Sequence, residues 1–149
     1  MLYTNLKHIE SATDHAQIIS EHENVVIVCG RMGPMCVPVY RIAEELEREY
    51  NHVKFFDMEF DNPESQVIRA LPEVRGFMGI PFTIYYKNGE VVKATSGIQT
   101  KAQIIGILDN EYSEAIAPSP ALPQNREGSF DSATSENVSL KNISSELAV

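Results

Sequence analysis

The sequence lacks most of the features that assign a function directly. It has no tryptophan and only two cysteines, Cys29 and Cys36. No apolar run is long enough to span a membrane, and the first residues do not have the basic and apolar order of a signal peptide. We therefore expect a cytoplasmic protein that does not bind membranes. In that reducing compartment, two cysteines are more often buried or catalytic than joined in a structural bridge.

Positive charge is also scarce. The chain carries 12 lysines and arginines against 21 aspartates and glutamates, which gives a formal net charge of −9. Because nucleic acids attract clustered basic residues, this balance argues against a nucleic-acid partner. Its 149 residues suffice for one domain with a substantial core, and we expect a monomer because no pattern predicts an oligomer. The four histidines are scattered, so we predict no metal site, and we predict no cofactor.

The chain is organised around residues 25–36, read as Val-Val-Ile-Val-Cys-Gly-Arg-Met-Gly-Pro-Met-Cys. An apolar β-favouring run, a Gly/Pro turn and an amphipathic run ending near Tyr50 predict a buried strand that leads into a helix. The unpaired amides at a helix start favour an anion such as a thiolate. Met32, Met35 and Cys36 are the side chains available at that position.

Residue alternation within this strand bears on the two thiols. Val26 and Val28 are predicted to point to one face of the sheet, and Cys29 to the other. A disulfide between Cys29 and Cys36 is therefore unfavourable, because a bridge needs Cα atoms within about 7 Å and side chains that point toward each other.

The remaining elements follow from periodicity. The patterns predict a strand at residues 6–9, a helix ending near Ser20 with Ala16 and Ile19 inward, a strand at residues 53–60, a short helix ending near Leu71 and a last helix from Thr100 to about Asn110. Asp57, Glu59 and Asp61 have the look of a calcium loop, but the glycine of such a loop is absent. We interpret these three residues as a solvated strand end.

A second strong signature covers residues 75–90. Asn88-Gly89 between two β-favouring runs predicts a hairpin turn. Together with the strand, Gly/Pro turn and helix above, the order Gly-Ile-Pro, strand, Lys-Asn-Gly resembles the thioredoxin family. The resemblance runs from about residue 5 to residue 111. It implies that Pro81 follows a cis peptide bond.

The turn departs from the thioredoxin motif Trp-Cys-Gly-Pro-Cys. Aligned from the strand, Arg31 takes the place of the tryptophan, and Met32 and Met35 take the places of the two cysteines. Aligned backward from the helix, Cys36 takes the second cysteine position and the loop holds one extra residue. In both alignments the nucleophilic position is not a cysteine, and Val26 replaces the family's buried aspartate.

The resemblance implies an α/β thioredoxin fold, with a central mixed sheet flanked by helices on both faces, as one domain over residues 1–112. Residues 113–149 are rich in Pro and Ser, and we predict a disordered tail.

We expect a thioredoxin-like protein that has lost dithiol catalysis and acts as a peptide-binding or chaperone-type module linked to redox homeostasis. A methionine thioether has no proton to lose and cannot form the mixed disulfide of thiol exchange. The resemblance places a protein or peptide partner at a groove around the Ile-Pro bond. The predicted site comprises an active-site loop of Met32, Gly33, Pro34 and Met35, and peptide-binding residues Ile80, Pro81, Gly97 and Met78.

Two alternatives stay open. Cys36 near a helix start could have a lowered pKa and act as a single-thiol oxidoreductase, with Cys29 as a possible second thiol. Met32, Met35, Cys36 and Met78 could instead be soft ligands for Cu(I), although a peptide groove would show the same residues.

Overall fold

The computed structural model describes residues 2–112. The predicted tail at residues 113–149 lies outside the described residues, so that prediction is untested. No helix among residues 2–112 is long and apolar enough to cross a membrane. The elements follow in chain order as β1 (Lys7–Ile9), α1 (Ala12–Glu21), β2 (Asn24–Gly30), α2 (Val37–Glu49), β3 (Lys54–Glu59), α3 (Gln66–Arg69), β4 (Phe82–Lys87), β5 (Glu90–Ser96) and α4 (Lys101–Glu111), with single 3-10 turns at Pro63–Ser65 and Pro72–Val74.

The five strands form one mixed sheet in the order β1-β3-β2-β4-β5. β1 and β2 both run parallel to β3, whereas β4 is antiparallel to β2 and to β5. The turn at Asn88-Gly89 has positive φ at both residues, which glycine and asparagine tolerate best, and it joins the β4–β5 hairpin as predicted. The predicted α/β class with a central mixed sheet is confirmed.

The core has two halves, one on each face of the sheet. α2 and α4 pack with Val26 and Val28 on one face, which we call the α2 face. α1 and α3 pack with Val25, Ile27 and Cys29 on the other, which we call the α1 face. The predicted alternation along β2 is therefore confirmed, and β2 is central because both of its faces are covered.

The predicted inward face of α1 is confirmed for Ile19, which packs against the core of the α1 face, and is wrong for Ala16, which is exposed. The buried residue of the helix is His15, whose Nε2 lies 2.9 Å from the hydroxyl of Tyr86. Only apolar residues were assigned to the predicted face, whereas a histidine with a buried partner also belongs to it. Burial lowers the pKa of His15, which favours the neutral ring.

Tyr112, just after α4, ties the end of the described chain to the sheet. Its hydroxyl donates to the carbonyl oxygens of Tyr86, at 2.8 Å, and Val25, at 3.1 Å. Its own carbonyl oxygen lies 2.8 Å from Nε2 of His52. Tyr112 is buried, so these polar contacts hold the end of α4 against β2 and β4.

Candidate functional site

The junction between β2 and α2 forms the first part of the site. The carbonyl oxygen of Gly33 accepts hydrogen bonds from the amides of Cys36, at 3.1 Å, and Val37, at 2.9 Å, and thereby closes the turn. Cys36 is the residue that precedes α2. Pro38 lies in the first turn of the helix, where its missing N–H leaves no intrahelical bond unmade.

Gly30 marks the point where three segments meet. A Cβ atom at this position would lie 2.8 Å from Sγ of Cys36, 2.9 Å from the hydroxyl oxygen of Tyr40 and 3.1 Å from Cβ of Pro81. The active-site loop, helix α2 and the loop before β4 therefore converge on the end of β2. The structure thus brings together the two sequence signatures, residues 25–36 and residues 75–90.

The loop before β4 carries three of the predicted peptide-binding residues, Met78, Ile80 and Pro81, and the fourth, Gly97, follows β5. The bond between Ile80 and Pro81 is cis, in agreement with the resemblance. Gly97, with φ of +80°, donates its amide to the carbonyl oxygen of Pro81 at 2.9 Å. Ile80 makes no backbone hydrogen bond with any other described residue.

Exposed methionine side chains surround this junction. Met78 is 98% exposed, Met35 49% and Met32 39%, whereas Met58 in β3 is 0% exposed. Ile98, which follows Gly97, is also exposed, and the sequence analysis did not single it out. We call Met32, Met35, Met78 and Ile98 the apolar rim.

The Cys36 thiol lies beneath the apolar rim rather than in it. Cys36 is only 2% exposed and belongs to the core of the α2 face. Burial raises the pKa of this thiol, and the hydrogen bond that its sulfur accepts from the Arg31 amide, at 3.4 Å, opposes that shift only in part. The pKa of Cys36 is therefore raised and not lowered, because desolvation outweighs both the hydrogen bond from the Arg31 amide and the charge of Arg31.

The second thiol, Cys29, is also inaccessible. It is fully buried on the α1 face, and burial raises its pKa to about 12. Both cysteines are free, and they belong to cores on opposite faces of the sheet. Neither thiol is presented to solvent for exchange.

Arg31 lies at the start of the loop, at the position where the thioredoxin motif has a tryptophan. Its guanidinium donates two hydrogen bonds to Asp61, both at 2.9 Å, and lies 5.2 Å from the centroid of the Phe60 ring. The hydrogen bond from Arg31 holds the pKa of the Asp61 carboxyl below its usual range. The arginine therefore turns toward the end of β3 and forms an exposed ion pair with Asp61.

Asp57 corrects the interpretation of the acidic strand end. It is 0% exposed and points to the α2 face, where its carboxylate contacts the hydroxyl of Thr4 and lies 2.6 Å from Nδ1 of His8. Burial raises its pKa, although both hydrogen bonds oppose that shift. The pairing of β1 with β3 sets His8 beside Asp57. Asp57 lies two residues after the buried Phe55 and therefore on the same face of the strand, which was the signal that could have predicted its burial.

Tyr40 is a second buried polar residue that the sequence analysis missed. It lies one helical turn after Cys36 and is 1% exposed, and its hydroxyl has no hydrogen-bond partner among the described residues. Burial raises its pKa, and the charge of a Cys36 thiolate would raise it further. Tyr40 therefore stays protonated and is not suited to accept the proton of the Cys36 thiol.

Among residues 2–112, no cluster of three or more histidine, cysteine or acidic side chains is arranged to hold a metal ion. The copper alternative requires Cys36 to join the exposed methionines. Because the thiol is buried in the core and the Met78 side chain is almost fully in solvent, the arrangement gives this alternative no support.

No protein-family model matches the sequence, and no curated protein is significantly similar to it.

Solved structures do match. A thioredoxin from Plasmodium falciparum is 24% identical with a TM-score of 0.59, over 72% of this chain and 100% of that chain. A mutant thioredoxin from Halobacterium salinarum is 18% identical with a TM-score of 0.60, over 78% and 100%. Thioredoxin f2 of Chlamydomonas reinhardtii is 16% identical with a TM-score of 0.61, over 74% and 100%. The sheet order, the two signatures and these neighbours agree that the chain has the thioredoxin fold.

Proposed function

We propose that this thioredoxin-fold protein binds extended, apolar polypeptide segments at the groove around Ile80 and Pro81, as a chaperone-type module without dithiol catalysis. A role in redox homeostasis and a cytoplasmic location are parts of the same proposal. The partner is a protein or peptide, and the domain acts as a monomer without a cofactor.

One observation carries the proposal: sulfur is divided between the surface and the core. The exposed sulfur atoms at the junction belong to Met32, Met35 and Met78, whereas Cys36 is buried. Thiol exchange needs an accessible thiolate and a second thiol to resolve the mixed disulfide. An exposed thioether can do neither, but it is a polarisable contact for apolar side chains of varied shape.

The groove also offers backbone groups. The amide and carbonyl of Ile80 lack backbone partners within the described residues, and they lie beside the residues of the apolar rim. An extended peptide can pair with such groups as an added strand, while its side chains contact the flanking apolar residues. Backbone pairing would supply affinity for many sequences, and the apolar rim would supply the preference for hydrophobic ones.

The first test is the reduction of insulin by dithiothreitol in the presence of this protein and of its Cys36→Ser variant. We expect both to match the uncatalysed rate, because no exposed thiol is available. Acceleration by the wild type that the variant lacks would contradict the proposal. Mass spectrometry of the wild type after reaction should show no adduct on Cys36.

The second test measures binding to reduced, carboxymethylated α-lactalbumin, a chain that stays extended. Met78→Glu and Ile98→Glu should each weaken binding by about tenfold, because a charge placed in an apolar contact must be desolvated. Val92→Glu is the matched control, since Val92 is exposed on β5 but is not part of the apolar rim. Equal effects of all three substitutions would contradict a groove at this position.

A second candidate function, single-thiol exchange by Cys36, is favoured by one contact. The Arg31 amide donates to Sγ at 3.4 Å, which stabilises a thiolate once one has formed. That state would require the buried thiol to open to solvent first. An adduct on Cys36 in the insulin experiment would select this candidate.

A further inference from the structure

We propose that Met32, Met35 and Met78 are sites of reversible oxidation by hydroperoxides, and that forming their sulfoxides releases apolar peptides from the groove. The second half rests on the proposed function, whereas the first half stands on the exposure of the side chains alone. The inference gives the site a redox response that does not require a thiol.

Exposure separates the methionines among residues 2–112 into two groups. Met78 is 98% exposed, Met35 49% and Met32 39%, and all three belong to the segments that meet at Gly30. Met58 is 0% exposed and is packed in the core of the α1 face. Because an oxidant must reach the sulfur, the reaction is directed to the apolar rim and spares the core.

The chemistry is a two-electron oxygen transfer. The thioether sulfur attacks one peroxide oxygen, an S–O bond forms and the O–O bond breaks. The sulfur is oxidised to the sulfoxide, and the hydroperoxide is reduced to an alcohol, or to water when the oxidant is hydrogen peroxide. In the reverse direction a dithiol supplies two electrons and two protons through a sulfoxide reductase, which restores the thioether, forms a disulfide and releases water.

The contacts predict an order of reactivity. Met78 should react first because nearly all of its side chain is in solvent, and Met35 should follow. Met32 should react last of the three, since its sulfur accepts a hydrogen bond from the amide of Tyr3 at 3.3 Å and is the least exposed. A sulfur lone pair engaged in that bond is less available to a peroxide.

Oxidation changes the character of the apolar rim. A sulfoxide is polar and chiral where the thioether was apolar and flexible, so it must be desolvated when an apolar side chain packs on it. Three sulfoxides beside one groove would therefore convert an apolar contact into a hydrated one.

The experiment treats the full chain with hydrogen peroxide at pH 6, where both thiols are protonated and react slowly. Peptide mapping by mass spectrometry follows each methionine, with Met58 as the internal reference. We expect Met78 and Met35 to be oxidised at least about tenfold faster than Met58 in the folded protein, and at similar rates in urea. Equal rates in the folded protein would overturn the assignment of the sites.

The same samples are then tested for binding to reduced, carboxymethylated α-lactalbumin. We expect affinity to fall by about tenfold after oxidation and to return after treatment with both stereospecific methionine sulfoxide reductases and dithiothreitol. In a variant with Met32→Leu, Met35→Leu and Met78→Leu, the ratio of affinities before and after peroxide should be one. Selective oxidation with unchanged affinity would overturn the switch, whereas absence of binding before oxidation would overturn the proposed function and leave the modification sites standing.

Discussion

The surface and the core of the same junction use sulfur in opposite ways. At the surface the sulfur atoms are thioethers, on Met32, Met35 and Met78, and they face solvent. In the core they are thiols, on Cys29 and Cys36, and burial raises the pKa of both. The accessible sulfur cannot exchange disulfides, and the sulfur that could exchange is inaccessible. Under the proposed function, the fold keeps the geometry of the site while the position of one chemical group decides what the site can do.

The largest effect on catalysis should come from moving thiols to the surface. The double variant Met32→Cys, Met35→Cys has the sequence Cys-Gly-Pro-Cys in the loop. The two replaced side chains are 39% and 49% exposed. We expect this double variant to reduce insulin at least about tenfold faster than the wild type, because an exposed nucleophile and a resolving thiol are then both present.

Each single variant serves as the control for that gain. Met32→Cys alone should form stable mixed disulfides without turnover, since no second surface thiol resolves them. A double variant as inactive as the wild type would show that the junction lacks more than its two thiols, and Val26 would be the next position to change.

The second effect concerns the buried thiols directly. In native protein at pH 8, alkylation of Cys36 and Cys29 by iodoacetamide should be about 100-fold or more slower than in urea, because each reaction must await local opening. The matched control is Met35→Cys, whose thiol should react in the folded state nearly as fast as in urea. Rapid alkylation of Cys36 in the folded protein would contradict the distinction between exposed thioethers and buried thiols.

The third effect tests the close packing of atoms around Gly30. Gly30→Ala should lower the free energy of unfolding by about 1–3 kcal/mol, because the added methyl would press on Cys36, Tyr40 and Pro81. Gly33→Ala is the control, since no atom lies within 4 Å of a Cβ placed there, and it should change stability by less than about 0.5 kcal/mol. Urea unfolding measures both, and equal effects would contradict the close approach at Gly30.

The smallest effect is a dependence of stability on pH that comes from His15, on the α1 face of the sheet. Burial lowers the pKa of His15 below its ordinary value of 6.5, so the unfolded chain binds more protons than the folded chain in that window. Its contribution to stability is therefore present above pH 6.5 and is lost as the pH falls from there through the folded pKa.

Urea unfolding of the wild type and of His15→Gln at pH 7.5 and pH 5.5 measures this contribution. The stability advantage of the wild type should shrink at the lower pH, by less than the effect expected for Gly30→Ala. An advantage that grows at pH 5.5 would contradict a neutral, buried ring.

The fold could be predicted because its signals are local. The apolar run of β2, the Gly/Pro turn and the Asn88-Gly89 hairpin each follow from the preferences of neighbouring residues, and the structure confirms them. The alternation of Val26 and Val28 with Cys29 also predicted the two faces correctly.

The site was harder to predict because burial depends on tertiary neighbours. The local sequence favours a surface position for Asp57, and only the pairing with β1 places His8 beside it. It likewise favours an exposed position for Cys36 at a helix start, but in the fold Cys36 and Pro81 approach Gly30 closely. His15 was overlooked for the same reason, since its partner Tyr86 is on β4. In each case the deciding partner is distant in sequence, and no local pattern encodes it.

The anchoring of Tyr112 sets a practical boundary for protein engineering. Its hydroxyl joins carbonyl groups of β2 and β4, and its carbonyl oxygen meets His52, so the last described residue is fastened to the centre of the molecule. A version shortened for NMR or crystallisation should be cut after residue 112, since ending it one residue earlier would leave the buried carbonyl oxygens of Val25 and Tyr86 without this donor. The same attachment point makes fusion of a reporter after residue 112 preferable to trimming α4.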